Sequence, residues 1–107
     1  MADVGTKLLF ENERVKVWEF TLQPGQAIGL HTHTHDYLIL PIETSTVQVT
    51  RPGQPVEVRD YAAGTVIWRD KGETHDAKNV GVHRYHQLLV ELKSPAAGAA
   101  IRSESAI

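Results

Sequence analysis

The sequence predicts an all-β chain folded as an antiparallel sandwich or barrel, and three observations carry that prediction. Short runs of period-two alternation, rich in β-branched and aromatic residues, recur along the chain. Gly, Pro, Asn and Asp close these runs at intervals of roughly 8–12 residues, the spacing of an all-β architecture. No segment makes a long amphipathic helix.

The residues justify each strand in turn. In residues 15–22, Trp18, Phe20 and Leu22 share one face with Lys16 as the odd member, while Glu19 and Thr21 fall on the other. Gln23-Pro24-Gly25 then breaks the strand, because proline presets a turn and glycine supplies positive φ. Further strands are expected over residues 28–33, 37–42, 46–51, 56–59, 65–69 and 85–93. Turn signals at Glu43-Thr44-Ser45, Arg51-Pro52-Gly53, Ala63-Gly64 and Asp70-Lys71-Gly72 separate them. Pro41 cannot donate to a ladder, so it should mark an edge or a bulge. On the last strand Leu88, Val90 and Leu92 read as an inward stripe, with Glu91 and Lys93 opposite and His86 in phase with the stripe. Trp18, Phe20 and Trp68 read as core, and His35 and His83 as exposed. Residues 94–107, rich in Ala, Ser and Gly, give no strand pattern and form either a mobile end or a short docked helix.

Composition bounds the function. A chain of 107 residues with 22% charged residues fits one domain over residues 1–107, its barrel at about 7–93. The net charge of -2 and the scattering of the eleven Lys and Arg residues leave no electrostatic footprint for nucleic acid or an anionic membrane. With no Cys there are no disulfides, thiolate ligands or cysteine nucleophiles. The longest aliphatic run, Leu38-Ile39-Leu40, is far too short to span a bilayer. A soluble, cytoplasmic protein that handles a small molecule is expected.

Chemistry concentrates in His31-Thr32-His33-Thr34-His35. On an extended strand this spacing turns three imidazoles to one face. At a rise of about 3.3 Å per residue, His31 and His33 stand roughly 7 Å apart and converge on one ion, whereas His31 and His35 are about 13 Å apart. Two of the three are therefore candidate ligands. The competing reading is a polar His-Thr strand facing solvent.

A second constellation, Gly64, Gly72, His75 and Asn79, is spaced Gly-X7-Gly-X2-His-X3-Asn. With Gly25, His31 and His33 ahead of it, the chain resembles the cupin superfamily, whose motifs run Gly-X5-His-X-His-X3,4-Glu-X6-Gly and Gly-X5-Pro-X-Gly-X2-His-X3-Asn. The His-Asp-Tyr-Leu-Ile-Leu-Pro-Ile segment is also similar to small single-domain cupins. The resemblance implies a double-stranded β-helix, a barrel of two antiparallel sheets, with a metal held inside by His31, His33 and His75. It also takes His35 out of the ligand set.

The chain departs from the cupin pattern at the Glu of the first motif, which falls on Tyr37 or Leu38, and at the closing Gly, which falls on Thr44 or Ser45. Asp70 replaces the Pro of the second motif. The expected centre is three imidazoles without a carboxylate. Such a set suits one divalent transition metal, Fe(II), Ni(II), Zn(II), Cu(II) or Co(II), and leaves positions open for water or substrate. Neutral ligands leave the full charge of the ion in place, which favours a small anionic ligand such as a carboxylate, a keto acid or an enediol.

Tyr37 shares the parity of the histidines. A neutral phenol with a pKa near about 10 is a poor metal ligand, so Tyr37 is expected to position substrate. Tyr37 and His86 are the candidates for holding substrate or moving a proton. The first reading is then a metal-dependent enzyme acting on a small organic acid or similar oxygenated metabolite, of dioxygenase, isomerase, lyase or decarboxylase type. The alternative is a non-catalytic metabolite- or metal-binding module acting with a separate partner, and a third is a scaffold with a degenerate site. The resemblance further implies a homodimer, with the strand near Leu8 to Phe10 contributing an edge.

Overall fold

The computed structural model describes residues 1–94. Their nine strands are β1 (Lys7–Glu11), β2 (Val15–Leu22), β3 (His31–Thr32), β4 (Asp36–Pro41), β5 (Ser45–Thr50), β6 (Glu57–Tyr61), β7 (Ile67–Arg69), β8 (Thr74–Asn79) and β9 (Tyr85–Leu92). They form a five-stranded sheet in the order β1-β2-β9-β4-β7 and a four-stranded sheet in the order β3-β8-β5-β6. Every strand pair is antiparallel. The expected all-β double-stranded β-helix is the fold observed. The sequence reading of residues 95–107 lies outside the described residues.

The inner faces follow from alternation. β2 buries Trp18, Phe20 and Leu22, as its pattern predicts, and β5 buries Val47 and Val49. With Tyr37, Ile39, Tyr61, Tyr85 and Leu89 these side chains fill the space between the sheets. Burying one such side chain is worth about 1.5–3 kcal/mol.

The expected strand over residues 28–33 is interrupted. Gly29 adopts φ +105° and donates its N–H to Asp76 Oδ1 at 2.8 Å, so only His31–Thr32 pair as a strand. Ahead of the break the chain still runs along β8, with the Ile28 N–H donating to the Ala77 carbonyl at 3.0 Å. β8 itself escaped the hydropathy pattern. Its buried residues are His75, Ala77 and Asn79, so polar and small side chains occupy the inner face.

Three expectations need correction. On β9 the buried residues are Tyr85, Gln87, Leu89 and Glu91, the phase opposite to the apolar stripe. The polar members are satisfied inside: Glu91 accepts the Trp18 indole N–H at 2.7 Å, and Gln87 accepts the Tyr85 hydroxyl. Leu88, Val90 and Leu92 therefore line the outer face, and His86 goes with them. Trp68 is 49% exposed, its indole N–H donating to Asp70. It ends an outer row of cross-strand neighbours, Phe10, Val17, Val90, Leu38 and Trp68, that crosses the whole five-stranded sheet. Pro41 marks neither an edge strand nor a bulge. It ends the interior strand β4 two residues beyond Ile39, the last residue β7 pairs, so no partner there needs its missing N–H.

Asn79 joins the layers. It is fully buried, donates from Nδ2 to the Leu22 and His83 carbonyls at 2.9 and 2.7 Å, and accepts at Oδ1 from Ser45 Oγ and the Gly81 N–H at 2.8 and 2.9 Å. All four of its hydrogen-bonding capacities are used. Asn79→Ala strands these partners, and an unfolding free energy about 3 kcal/mol lower is expected from urea denaturation. A loss under about 1 kcal/mol would contradict this structural role.

Candidate metal centre

His31 and His75 face each other as a cross-strand pair on β3 and β8, and His33 follows two residues along on the same side. All three are buried, at 1%, 1% and 6% exposure. The Asp70-Lys71-Gly72 turn is held to this strand by Gly72, whose φ is +109° and whose N–H donates to the His33 carbonyl at 2.7 Å. A side chain at that φ would be strained. This turn returns the chain so that His75 arrives beside His31.

The rings converge through their Nε2 atoms. His33 Nε2 lies 3.2 Å from His31 Nε2 and 3.2 Å from His75 Nε2. Nitrogens bound at about 2.0–2.1 Å to one ion stand roughly 2.9 Å apart in an octahedral site and roughly 3.3 Å apart in a tetrahedral one. The observed spacing falls between these values. His31 Nδ1 donates to the Gly29 carbonyl at 2.7 Å and His75 Nδ1 to the Glu73 carboxylate. In the neutral rings those bonds leave both Nε2 atoms as lone pairs. His33 Nε2 faces two lone pairs with at most one proton, and its buried Nδ1 has no partner among the described residues. A cation between the three nitrogens removes that conflict, so the donor set fits a divalent metal ion.

Electrostatics point the same way. Burial pushes the His33 pKa down to about 3, with repulsion from His75 and His31 adding to it. Burial also lowers His31 and His75, despite the Gly29 carbonyl beside one and Glu73 beside the other. Neutral imidazoles are the form that binds metal. Burial acts to raise the Glu73 carboxyl, but the hydrogen bonds from Arg51 and His75 outweigh it and hold the group below the usual range.

Tyr37, on β4, lines the same cavity and stacks on His33 with ring centroids 3.9 Å apart and planes 12° from parallel. Burial pushes its phenol far up, so it remains a protonated donor. His86 is half-buried on the opposite face of β9, its Nε2 4.0 Å from Glu19, and it does not line the cavity. His35 is half-buried and outside the triad, and His83 is exposed.

Sequence reasoning missed Glu73, Arg59 and Gln87. Glu73 carried a usable signal, since it stands two residues before His75 and so shares its face. A carboxylate that orients a metal-bound imidazole fixes its tautomer and raises its basicity. Glu73→Gln should weaken metal binding about 10–100-fold, read by chelator competition. Unchanged affinity would remove Glu73 from the site.

Two sheets closed around three inward imidazoles define a cupin. The model of the family described as "Auxin binding protein" matches residues 2–104, and the chain belongs to that family. The chain is 29% identical over 83 residues to the beta-alanine degradation protein BauB of Pseudomonas aeruginosa, covering 78% of this chain and 86% of that protein. A cupin domain structure from Bordetella pertussis Tohama I is similar with a TM-score of 0.78 and 27% identity, covering 82% of this chain and 91% of that one. An RmlC-like cupin with a double-stranded β-helix fold from Methanocaldococcus jannaschii has a TM-score of 0.69 at 17% identity, over 88% of this chain and 84% of that one, a likeness of fold alone. Among the described residues no helix is long and apolar enough to cross a membrane.

Proposed function

We propose that this chain is a single metal-dependent cupin domain that acts on a small organic acid through His31, His33 and His75. The convergence of three neutral Nε2 atoms on one point of the cavity carries the reading. A bound divalent transition ion supplies Lewis acidity or, if iron, oxygen activation, in support of dioxygenase, isomerase, lyase or decarboxylase chemistry. The protein's part is to hold and orient: Gly29 and Glu73 fix two of the rings, and Tyr37 offers a protonated phenol at the wall. The cavity has a volume of about 30 Å³. Such a cavity suits a small ligand. The name of the Pseudomonas relative, which places it in β-alanine degradation, supports a small metabolite as the substrate.

Protein purified without an affinity tag is expected to carry close to one equivalent of a transition metal and to show metal-dependent turnover or oxygen uptake with one member of an organic-acid panel. Bound metal below about 0.2 equivalents, unchanged by His75→Ala, would sink the reading. The family description as a binding protein favours a second reading, a metabolite-binding module that reports to a partner. Tight binding of an acid without turnover would select it.

We also propose a homodimer, with a cytoplasmic location that accords with the Cys-free composition. Supporting the dimer are the edge strand β1, whose Leu8, Leu9 and Phe10 are 42–53% exposed, and the apolar row running from Phe10 to Trp68. A monomeric mass by light scattering would refute it.

A further inference from the structure

We propose that Arg59 is the residue that recognises the anionic end of the ligand, so that the cavity selects a short acid with two oxygen functions, one for the metal and a carboxylate for Arg59. The proposal rests on the metal reading above and adds a second, protein-borne contact to it.

Arg59 lies on β6 and lines the cavity, its side chain only 13% exposed. A charge so placed needs partners, and Arg59 has them on one side. Its Nε donates to Glu57 Oε1 at 2.5 Å, and its Nη1 reaches the Tyr61 hydroxyl at 3.3 Å. Among the described residues Nη2 has no hydrogen-bond partner. A guanidinium held at Nε and open at its outer edge suits a carboxylate, which accepts two parallel N–H bonds.

The anchor is itself braced. Glu57 Oε2 accepts from Arg51 Nη2 at 2.7 Å, Arg51 Nε donates to Glu73 Oε2 at 3.0 Å, and Glu73 holds His75. A chain of alternating charges thus runs from a metal ligand to the open guanidinium. Two arginines and two carboxylates cancel along it, so the guanidinium is fixed in place without a net charge to repel the ion. Gln87 and Tyr85 add neutral polar wall, and the remaining lining is largely apolar. The narrow cavity favours short acids over long ones.

Malonate is the test probe, with cobalt(II) as the reporting metal. Cobalt titration first reads the triad through its d–d absorption. Malonate added to the cobalt-loaded protein should then shift that spectrum, with malonamide, the uncharged analogue, at least tenfold weaker. Arg59→Gln should weaken malonate about 10–100-fold while cobalt affinity changes less than about threefold, and Arg59→Lys should fall between. Equal malonate affinity in wild type and Arg59→Gln, or no malonate binding by the loaded wild type, would overturn the proposal and leave the metal reading intact. If no cobalt binds, the metal reading fails, and calorimetry of malonate with the metal-free wild type and Arg59→Gln decides Arg59 by the same comparison. An unchanged melting temperature in Arg59→Lys keeps the result clear of misfolding.

Discussion

His33→Ala should lower metal affinity by at least about a hundredfold, while His35→Ala should leave it unchanged. Loss of a residue that merely supports a ligand costs about 10–100-fold, so loss of a ligand costs at least the upper end of that range. His33 is the member that touches both others, each at 3.2 Å, so its removal leaves two rings with no nitrogen between them. His35 belongs to the same run in the sequence but stands outside the triad. Chelator competition with the tag-free protein gives both numbers. Equal losses in the two variants would show that the run binds metal as a flexible polyhistidine segment, and the folded site would be refuted.

Acid should destabilise the metal-free protein well above the carboxylate range. In the unfolded chain an imidazole takes up a proton below about pH 6.5, whereas folded His33 resists down to about 3. Between those values the unfolded state binds more protons, so stability falls as the pH falls, and it is fully present only above about 6.5. The slope is about 1.4 kcal/mol per pH unit for each such group, so His33 alone removes about 2 kcal/mol between pH 6.5 and 5. His31 and His75 act in the same direction. For a domain of this size the melting temperature should drop by about 10 °C over that interval. His33→Phe should flatten the curve. A melting temperature constant from pH 7 to 5 in the metal-free wild type would mean that the rings are not buried neutral.

Much of the barrel was readable from residues alone, because β2 and β5 alternate in the ordinary way, with apolar side chains inside. The failures share one cause. Where the inner face is polar, alternation of hydropathy points the wrong way: Gln87 and Glu91 are buried on β9 while Leu88 and Val90 face out, and His75 and Asn79 are buried on β8. The wrong phase of β9 carried His86 into the expected pocket. Trp68 was misplaced for a related reason, since an aromatic residue on a three-residue strand has too little pattern around it to fix its side. His31 and His33 were readable because their spacing, and not their polarity, identifies them, whereas His75 entered through the resemblance to the cupin motifs. Arg59 was not readable, because nothing in its local pattern separates a charge turned into the barrel from one turned to solvent, and Glu73 was legible only through its place two residues before His75.

The three rings of the centre are not equally secured. His31 and His75 are each pinned by a hydrogen bond at Nδ1, whereas His33 has no partner at Nδ1 among the described residues and stacks on Tyr37. Turning the His33 ring about its Cβ–Cγ bond would break that stack, so Tyr37 is what holds its Nε2 toward the other two rings. Metal turnover at this centre should therefore be governed by a phenol that need never touch the ion, with Tyr37→Ala speeding release more than it weakens equilibrium binding.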